Sequence, residues 1–84
     1  MKKSIYSEQQ ERLIKLLRQI RIEKKFTQID LAKELNQPQS FVSKYESGER
    51  RIDLVELKMI CNKLGISLVD FIKRFEKGDN ESKH

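Results

Sequence analysis

The sequence predicts an all-α fold, a compact bundle of five helices in a single small domain. Apolar residues recur at helical i, i+3, i+4 spacing in almost every segment, whereas the alternation typical of strands is missing. Helix start and stop signals divide the chain into short segments, and its 84 residues include only three Gly and one Pro. A hydrophobic fraction of 37% beside a charged fraction of 37% is typical of a small folded domain with a heavily charged exterior.

The first helix is predicted over residues 7–24, after an N-terminal tail of residues 1–6. Ser7 followed three residues later by Gln10 fits a capping box, in which the serine oxygen accepts from a free backbone N–H at the start of the helix. An apolar stripe follows at helical spacing and should face the core. Its members are Leu13, Leu16, Leu17 and Ile20.

The second and third helices are predicted over residues 27–35 and 38–47, joined by a tight turn. Thr27 and Asp30 form another capping box. Asn36 can adopt the left-handed conformation that ends a helix, and Pro38 fits only the first turn of the next one. The third helix should end at Gly48. The expected core residues of this pair are Ile29, Leu31, Ala32, Leu35, Val42 and Tyr45.

The fourth and fifth helices are predicted over residues 53–64 and 67–76, with a flexible tail over residues 78–84. Asp53 should cap the fourth helix and Gly65 should end it, while Ser67 and Asp70 form a third capping box. The residues expected to face inward on the fourth helix are Leu54, Leu57, Met59, Ile60, Cys61 and Leu64. Phe71, Ile72 and Phe75 give the fifth helix its apolar positions.

The net charge of +5 lies in the first 25 residues, which hold eight Lys/Arg against three Glu. A basic excess favours an anionic partner such as nucleic acid. One Cys and one His leave no disulfide, metal cluster or catalytic triad, so neither an enzyme nor a cofactor is expected. No apolar run approaches the roughly 18 residues of a membrane span, and no signal peptide is visible, so the expected location is cytoplasmic.

The outer face of the third predicted helix has a composition suited to reading DNA bases. Two helices joined by a short turn form a helix-turn-helix, although an ordinary helical hairpin would give the same pattern. Gln can bond adenine through both ends of its amide, Ser can bond several bases, and Lys reaches guanine. The residues predicted to read bases are Gln39, Ser40, Ser43 and Lys44. Flanking residues predicted to bind phosphate are Gln28, Arg50, Arg51 and Lys25.

Motifs in this part of the chain resemble the XRE family, the Cro and phage-repressor type of helix-turn-helix domain. The motifs are Thr27-Gln28-x-x-Leu31-Ala32-x-x-Leu35, Ser43-x-x-Glu46-x-Gly48 and Leu64-Gly65. The resemblance runs from about Leu13 to Phe75. It implies a lambda-repressor-like DNA-binding domain that acts as a homodimer on palindromic operators in double-stranded DNA.

The resemblance also implies a role for individual residues. Gln28 would bond a phosphate and brace Gln39, the first base-reading residue, and Arg50 and Arg51 would lie in a loop that grips the backbone. Another expected feature is a buried ion pair between Arg21 and Glu46. Pro38 departs from the family pattern, which often has Ser or Thr there, so one hydroxyl contact to phosphate is expected to be missing.

A surface for dimerisation is expected on the fifth helix, which carries more apolar positions than packing on one side requires. The residues proposed for it are Leu68, Phe71, Ile72 and Phe75, with Ile5 and Tyr6 as further members. The predicted function is a sequence-specific transcriptional regulator, a repressor. The alternatives are a restriction-modification controller, an antitoxin-type regulator or a protein–protein interaction module of the same fold. Neither a membrane nor a small-molecule ligand is expected as a partner.

Overall fold

Five α-helices joined by short loops make up the computed structural model, which describes residues 5–81 and places the side chains of residues 7–78. The helices are α1 (Ile5–Glu23), α2 (Gln28–Glu34), α3 (Gln39–Ser47), α4 (Leu54–Leu64) and α5 (Leu68–Glu81). No strand occurs among these described residues. The predicted all-α, five-helix fold is confirmed.

The capping boxes predicted for α2 and α4 form, and they explain small offsets in the helix starts. Thr27 Oγ1 accepts from the backbone N–H of Asp30 at 3.0 Å, and the Asp30 carboxylate accepts from the N–H of Thr27 at 3.1 Å. Asp53 and Glu56 make the same reciprocal pair at the start of α4. A cap residue lies just outside its helix. The predicted ranges counted these residues as helical, so α2 to α5 begin one residue later than expected.

The outer ends of the bundle differ from the prediction. Because α1 begins at Ile5, Ser7 lies inside the helix and is not its cap. Neither Ile5 nor Tyr6 is a Pro or Gly, so nothing prevents the helix from beginning before Ser7. Residues 1–4 of the predicted tail lie outside the described residues. At the other end α5 continues through Gly78 to Glu81, past the predicted end at 76, and residues 82–84 lie outside the described residues.

Gly78 lies inside α5 and close to Arg12 of α1. Glycine inside a helix costs about 1 kcal/mol relative to alanine, but it does not stop the helix by itself. Arg12 Nη2 donates to the carbonyl of Phe75 at 2.6 Å, and a Cβ on Gly78 would come within 3.3 Å of the same nitrogen. The small residue therefore leaves room for the arginine that ties α1 to α5.

Left-handed residues end the middle helices as predicted. Asn36 has φ 56° after α2, and Gly48 has φ 87° after α3, where its missing side chain makes that conformation accessible. Pro38 directly precedes α3 and makes no side-chain capping bond, in line with the expected loss of a hydroxyl. The turn between α2 and α3 is therefore short and sharply defined.

The core lies where the five helices converge. Its buried hydrophobic residues are Leu17, Ile20, Leu31, Ala32, Leu35, Val42, Tyr45, Leu57, Ile60, Cys61, Leu64 and Phe71. Cys61 is the small core residue that was predicted, and burial raises the pKa of its thiol to about 11. The predicted burial is wrong for three residues. The side chains of Ile29, Leu54 and Met59 are at least half exposed.

Candidate nucleic-acid interface

Helices α2 and α3 pack against each other as a helix-turn-helix, and α1 packs behind α3. Val42 and Tyr45 anchor α3 in the core, since neither has any exposed surface. Burial raises the pKa of Tyr45, and its hydroxyl is buried with no hydrogen-bond partner among the described residues. Because these two residues fix one side of α3 in the core, the opposite side of the helix faces away from the core.

The residues predicted to read bases share that outer face. Gln39, Ser40 and Lys44 are exposed, and Ser43 is half-buried between them and the core. Gln39 and Ser40 occupy the first turn of α3, and Lys44 lies about one turn further on. The first turn of a helix placed in the major groove is the part that meets base edges. The structure therefore brings the four predicted residues onto one accessible surface.

A chain of hydrogen bonds connects this surface to the interior. Gln28 Nε2 donates to Glu46 Oε1 at 3.0 Å, and Gln39 Nε2 donates to Gln28 Oε1 at 3.1 Å. An ionised carboxylate only accepts hydrogen bonds, so Glu46 fixes which end of the Gln28 amide faces it. The Gln28 oxygen must then face Gln39. One N–H and the oxygen of Gln39 stay available, which is the donor and acceptor pair that adenine requires.

The anchor of that chain is the predicted ion pair. Arg21 Nε donates to Glu46 Oε2 at 2.7 Å, Arg21 Nη2 donates to Glu46 Oε1 at 3.0 Å, and Arg21 Nη1 donates to the carbonyl of Phe26 at 2.8 Å. Only 10% of the Arg21 side chain and 4% of the Glu46 side chain are exposed. The hydrogen bond to Glu46 raises the pKa of Arg21. Two buried charges are thus paired and hydrogen-bonded, as charges removed from water require.

The residues predicted to bind phosphate fall into different environments. Lys25 is exposed directly before α2, and Arg51 is exposed in the loop between α3 and α4. Gln28 is half-buried, and its amide nitrogen is engaged by Glu46. Gln28 contacts the outer face of α3 directly, through the hydrogen bond that it accepts from Gln39.

Arg50, which was predicted to bind phosphate, makes close contacts within its own chain. Its Nη1 donates to Glu56 Oε1 at 3.1 Å and its Nη2 to Glu56 Oε2 at 2.7 Å, while its guanidinium carbon lies 4.7 Å from the centre of the Phe41 ring. The arginine is therefore held by a carboxylate and an aromatic ring, while 41% of its side chain is exposed. Sequence reasoning did not connect Glu56 with this site, although Asp53-x-x-Glu56 carries the signature of a capping box.

Neither a metal-binding group nor a membrane-spanning helix occurs among the described residues. No group of three or more His, Cys, Asp or Glu side chains within them is placed to hold a metal ion. Within the same part of the chain, no helix combines the length and the apolar composition that a membrane span requires.

Known proteins resemble this chain in both sequence and structure. The helix-turn-helix family model matches residues 17–71. An XRE-family like protein from Pseudomonas syringae pv. tomato str. DC3000 has a similar structure, with a TM-score of 0.82 and 36% identity over 87% of this chain and 89% of that chain. The comparison with curated proteins gave no match.

The restriction-modification controller protein C.Esp1396I is also similar. The wild-type structure has a TM-score of 0.78 and 28% identity over 89% of this chain and 92% of that chain. Its tetramer in complex with its natural 35 base-pair operator has a TM-score of 0.77 at 28% identity, over 89% of this chain and 95% of that chain.

Proposed function

The chain belongs to the XRE family of helix-turn-helix DNA-binding regulators, and we propose that it represses transcription by binding a palindromic operator as a homodimer. In this proposal α3 enters the major groove of double-stranded DNA and reads its sequence. The observation that carries the proposal is the outer face of α3, where Gln28 and Glu46 orient the amide of Gln39 toward solvent. An exposed amide with a fixed direction is suited to one base and disfavours others.

Selection of bound sequences from a random duplex pool tests this proposal, with binding of the selected site followed by anisotropy at two salt concentrations. We expect a palindrome whose half-sites lie about one helical turn, or about 34 Å, apart, because a two-fold dimer presents two copies of α3. An adenine in each half-site would agree with the orientation of Gln39. Binding without any sequence preference would contradict the proposal.

Lys44 and Arg51 should differ in how they contribute to binding. We expect Lys44→Ala to lower affinity for the operator and relax the choice at one base position, with a loss of about 1–3 kcal/mol. Arg51→Ala should weaken binding to all sequences and reduce the slope of log affinity against log salt by about 1. Titration of both variants with operator and random duplexes measures the difference. Equal losses on both duplexes for both variants would contradict these roles.

Dimerisation requires a surface, and we propose the exposed side of α5. Phe71 is left out of the proposed interface, because it is fully buried in the core of its own chain. Leu68 packs against the same core, and Phe75 is half-buried beneath the guanidinium of Arg12, whose centre lies 4.5 Å from its ring. Ile72 remains exposed, and Val69, which sequence reasoning missed, is 63% exposed. The side chains of Ile5 and Tyr6 lie outside those described.

Ile72→Lys should therefore separate the dimer without unfolding the chain. Burying an isoleucine contributes about 1.5–3 kcal/mol, so its loss at each copy should raise the dimer dissociation constant tenfold or more. Sedimentation velocity over a range of concentrations measures the change. Ile22→Lys is the matched control, because Ile22 is similarly exposed but lies on α1. Dissociation by Ile22→Lys and not by Ile72→Lys would place the interface elsewhere.

A restriction-modification controller is a second candidate function, supported by the similarity to C.Esp1396I. The structure of that protein as a tetramer on a 35 base-pair operator suggests how the candidates differ. A controller of this kind should fill two adjacent palindromes, giving two retarded complexes on a duplex of that length. A repressor of a simple operator should give one.

A further inference from the structure

The loop after α3 carries two adjacent arginines, and the first of them is held by a carboxylate. Arg50 places both terminal nitrogens of its guanidinium on the two oxygens of Glu56. This fork-to-fork arrangement is the strongest geometry available to an arginine and a carboxylate. Arg50 Nη1 also donates to the carbonyl of Arg51 at 3.1 Å. The positive charge of Arg50 is therefore compensated at close range.

Glu56 is itself held in place. Its Oε1 accepts from the backbone N–H of Asp53 at 2.9 Å, as part of the capping box of α4. The positive end of the helix dipole also favours a carboxylate in this first turn. The hydrogen bonds from Arg50, and then the one from Asp53, lower the pKa of Glu56. The carboxylate is thus a fixed negative charge rather than a mobile side chain.

The aromatic ring of Phe41 places the Arg50–Glu56 pair beside the reading surface. Arg50 lies over this ring at 4.7 Å, and the ring in turn packs edge-on against Tyr45 with centres 5.7 Å apart. Phe41 directly follows Ser40 in α3. In the proposed complex, with α3 in the major groove, we expect the loop that follows α3 to approach the DNA backbone and to carry this guanidinium with it. The guanidinium brings no net charge there, because Glu56 accompanies it.

Sequence-blind DNA binding depends almost entirely on how many phosphates are neutralised by cations. An arginine paired with a fixed carboxylate contributes little to that number. Operator binding depends in addition on the orientation of α3, which the contact between Arg50 and Phe41 supports. We propose that Glu56 withholds Arg50 from the DNA backbone, lowering affinity for random DNA more than for the operator. Glu56 is then a determinant of specificity that itself contacts no base; this inference rests on the proposed function.

The test is Glu56→Gln, which removes the negative charge but keeps a side-chain oxygen to accept from Asp53, so the capping box survives. On a random duplex the slope of log affinity against log salt should steepen by about 0.9, the value for one additional phosphate. The ratio of variant to wild-type affinity should therefore rise about threefold between about 200 mM and about 50 mM salt. The gain on the operator should be smaller, so the ratio of operator to random affinity falls.

Two control variants separate this effect from a general change in charge. Glu76→Gln makes the same change in net charge on an exposed residue of α5, and it should leave the slope on random DNA unchanged. In the double variant Glu56→Gln, Arg50→Gln, the pair is again neutral, and the slope should return to the wild-type value. A double-variant slope shallower than wild type by about 0.9 would overturn the inference, because it would mean that Arg50 already binds phosphate.

The remaining outcomes also decide the question. Equal gains on operator and random duplexes, or a Glu56→Gln slope equal to that of Glu76→Gln, would overturn the inference while leaving the proposed function intact. A wild-type protein that binds no duplex at low salt would instead overturn the proposed function, and this inference with it. The wild-type titration on random DNA therefore comes first.

Discussion

Replacing Arg21 by alanine should lower the free energy of unfolding by about 3–5 kcal/mol, because it leaves the carboxylate of Glu46 buried without its partner. Only 4% of the Glu46 side chain is exposed, so its carboxylate is poorly hydrated in the folded chain and depends on the guanidinium for compensation. The carbonyl of Phe26 would lose its donor as well. Urea unfolding followed by circular dichroism measures the loss.

An exposed ion pair provides the control for Arg21→Ala. Arg74 and Glu23 join α5 to α1 at 3.1 Å with side chains that are 39% and 44% exposed, and solvent screens such pairs strongly. We therefore expect Arg74→Ala to have a much smaller effect than Arg21→Ala. Comparable losses for both variants would show that burial does not determine how much the Arg21–Glu46 pair contributes to the free energy of unfolding.

A double variant distinguishes the stability of the ion pair from its role in binding. Replacing Arg21 by Met and Glu46 by Leu removes both buried charges, so its stability should be close to that of the wild type. The acceptor that orients Gln28 is lost in the same variant. Operator affinity should therefore fall even though the protein remains folded. A double variant as unstable as Arg21→Ala would contradict this account.

Replacing Phe71 by alanine should cost about 3–5 kcal/mol of stability, because a fully buried aromatic side chain leaves a cavity that the surrounding helices only partly fill. Thermal unfolding should show a clearly lower midpoint. Val69→Ala is the control on the same helix, where 63% exposure predicts a change within about 0.5 kcal/mol. Together, the two variants compare the stability contributed by the buried side of α5 with that contributed by its exposed side.

The same variant tests the proposed interface. At temperatures where Phe71→Ala is still folded, we expect its dimer dissociation constant to match the wild type, whereas that of Ile72→Lys should be raised. Sedimentation at low temperature makes this comparison. A stable, monomeric Phe71→Ala protein would restore Phe71 to the interface and contradict its placement in the core.

The sequence predicted the helix-turn-helix well because its signals are local. The capping box of Thr27 and Asp30 and the left-handed turn at Asn36 depend on atoms within a few residues of each other. The outward face of α3 follows from its helical period once Val42 and Tyr45 are assigned to the core. Local signals misled at the start of α1 and the end of α5, where Ser7 and Gly78 fit helix boundaries but lie inside the helices.

The sequence by itself determined the number of helices, their order and the residue types on the outer face of α3, because period and capping operate within one segment. Only the tertiary structure decided which neighbour each side chain meets. It buried Phe71 while leaving Ile72 exposed, and it paired Arg50 with Glu56 at the start of α4. Burial depends on the packing of separate helices, and the Arg50–Glu56 pair depends on the path of the loop between α3 and α4. Neither leaves a local signal in the residues involved.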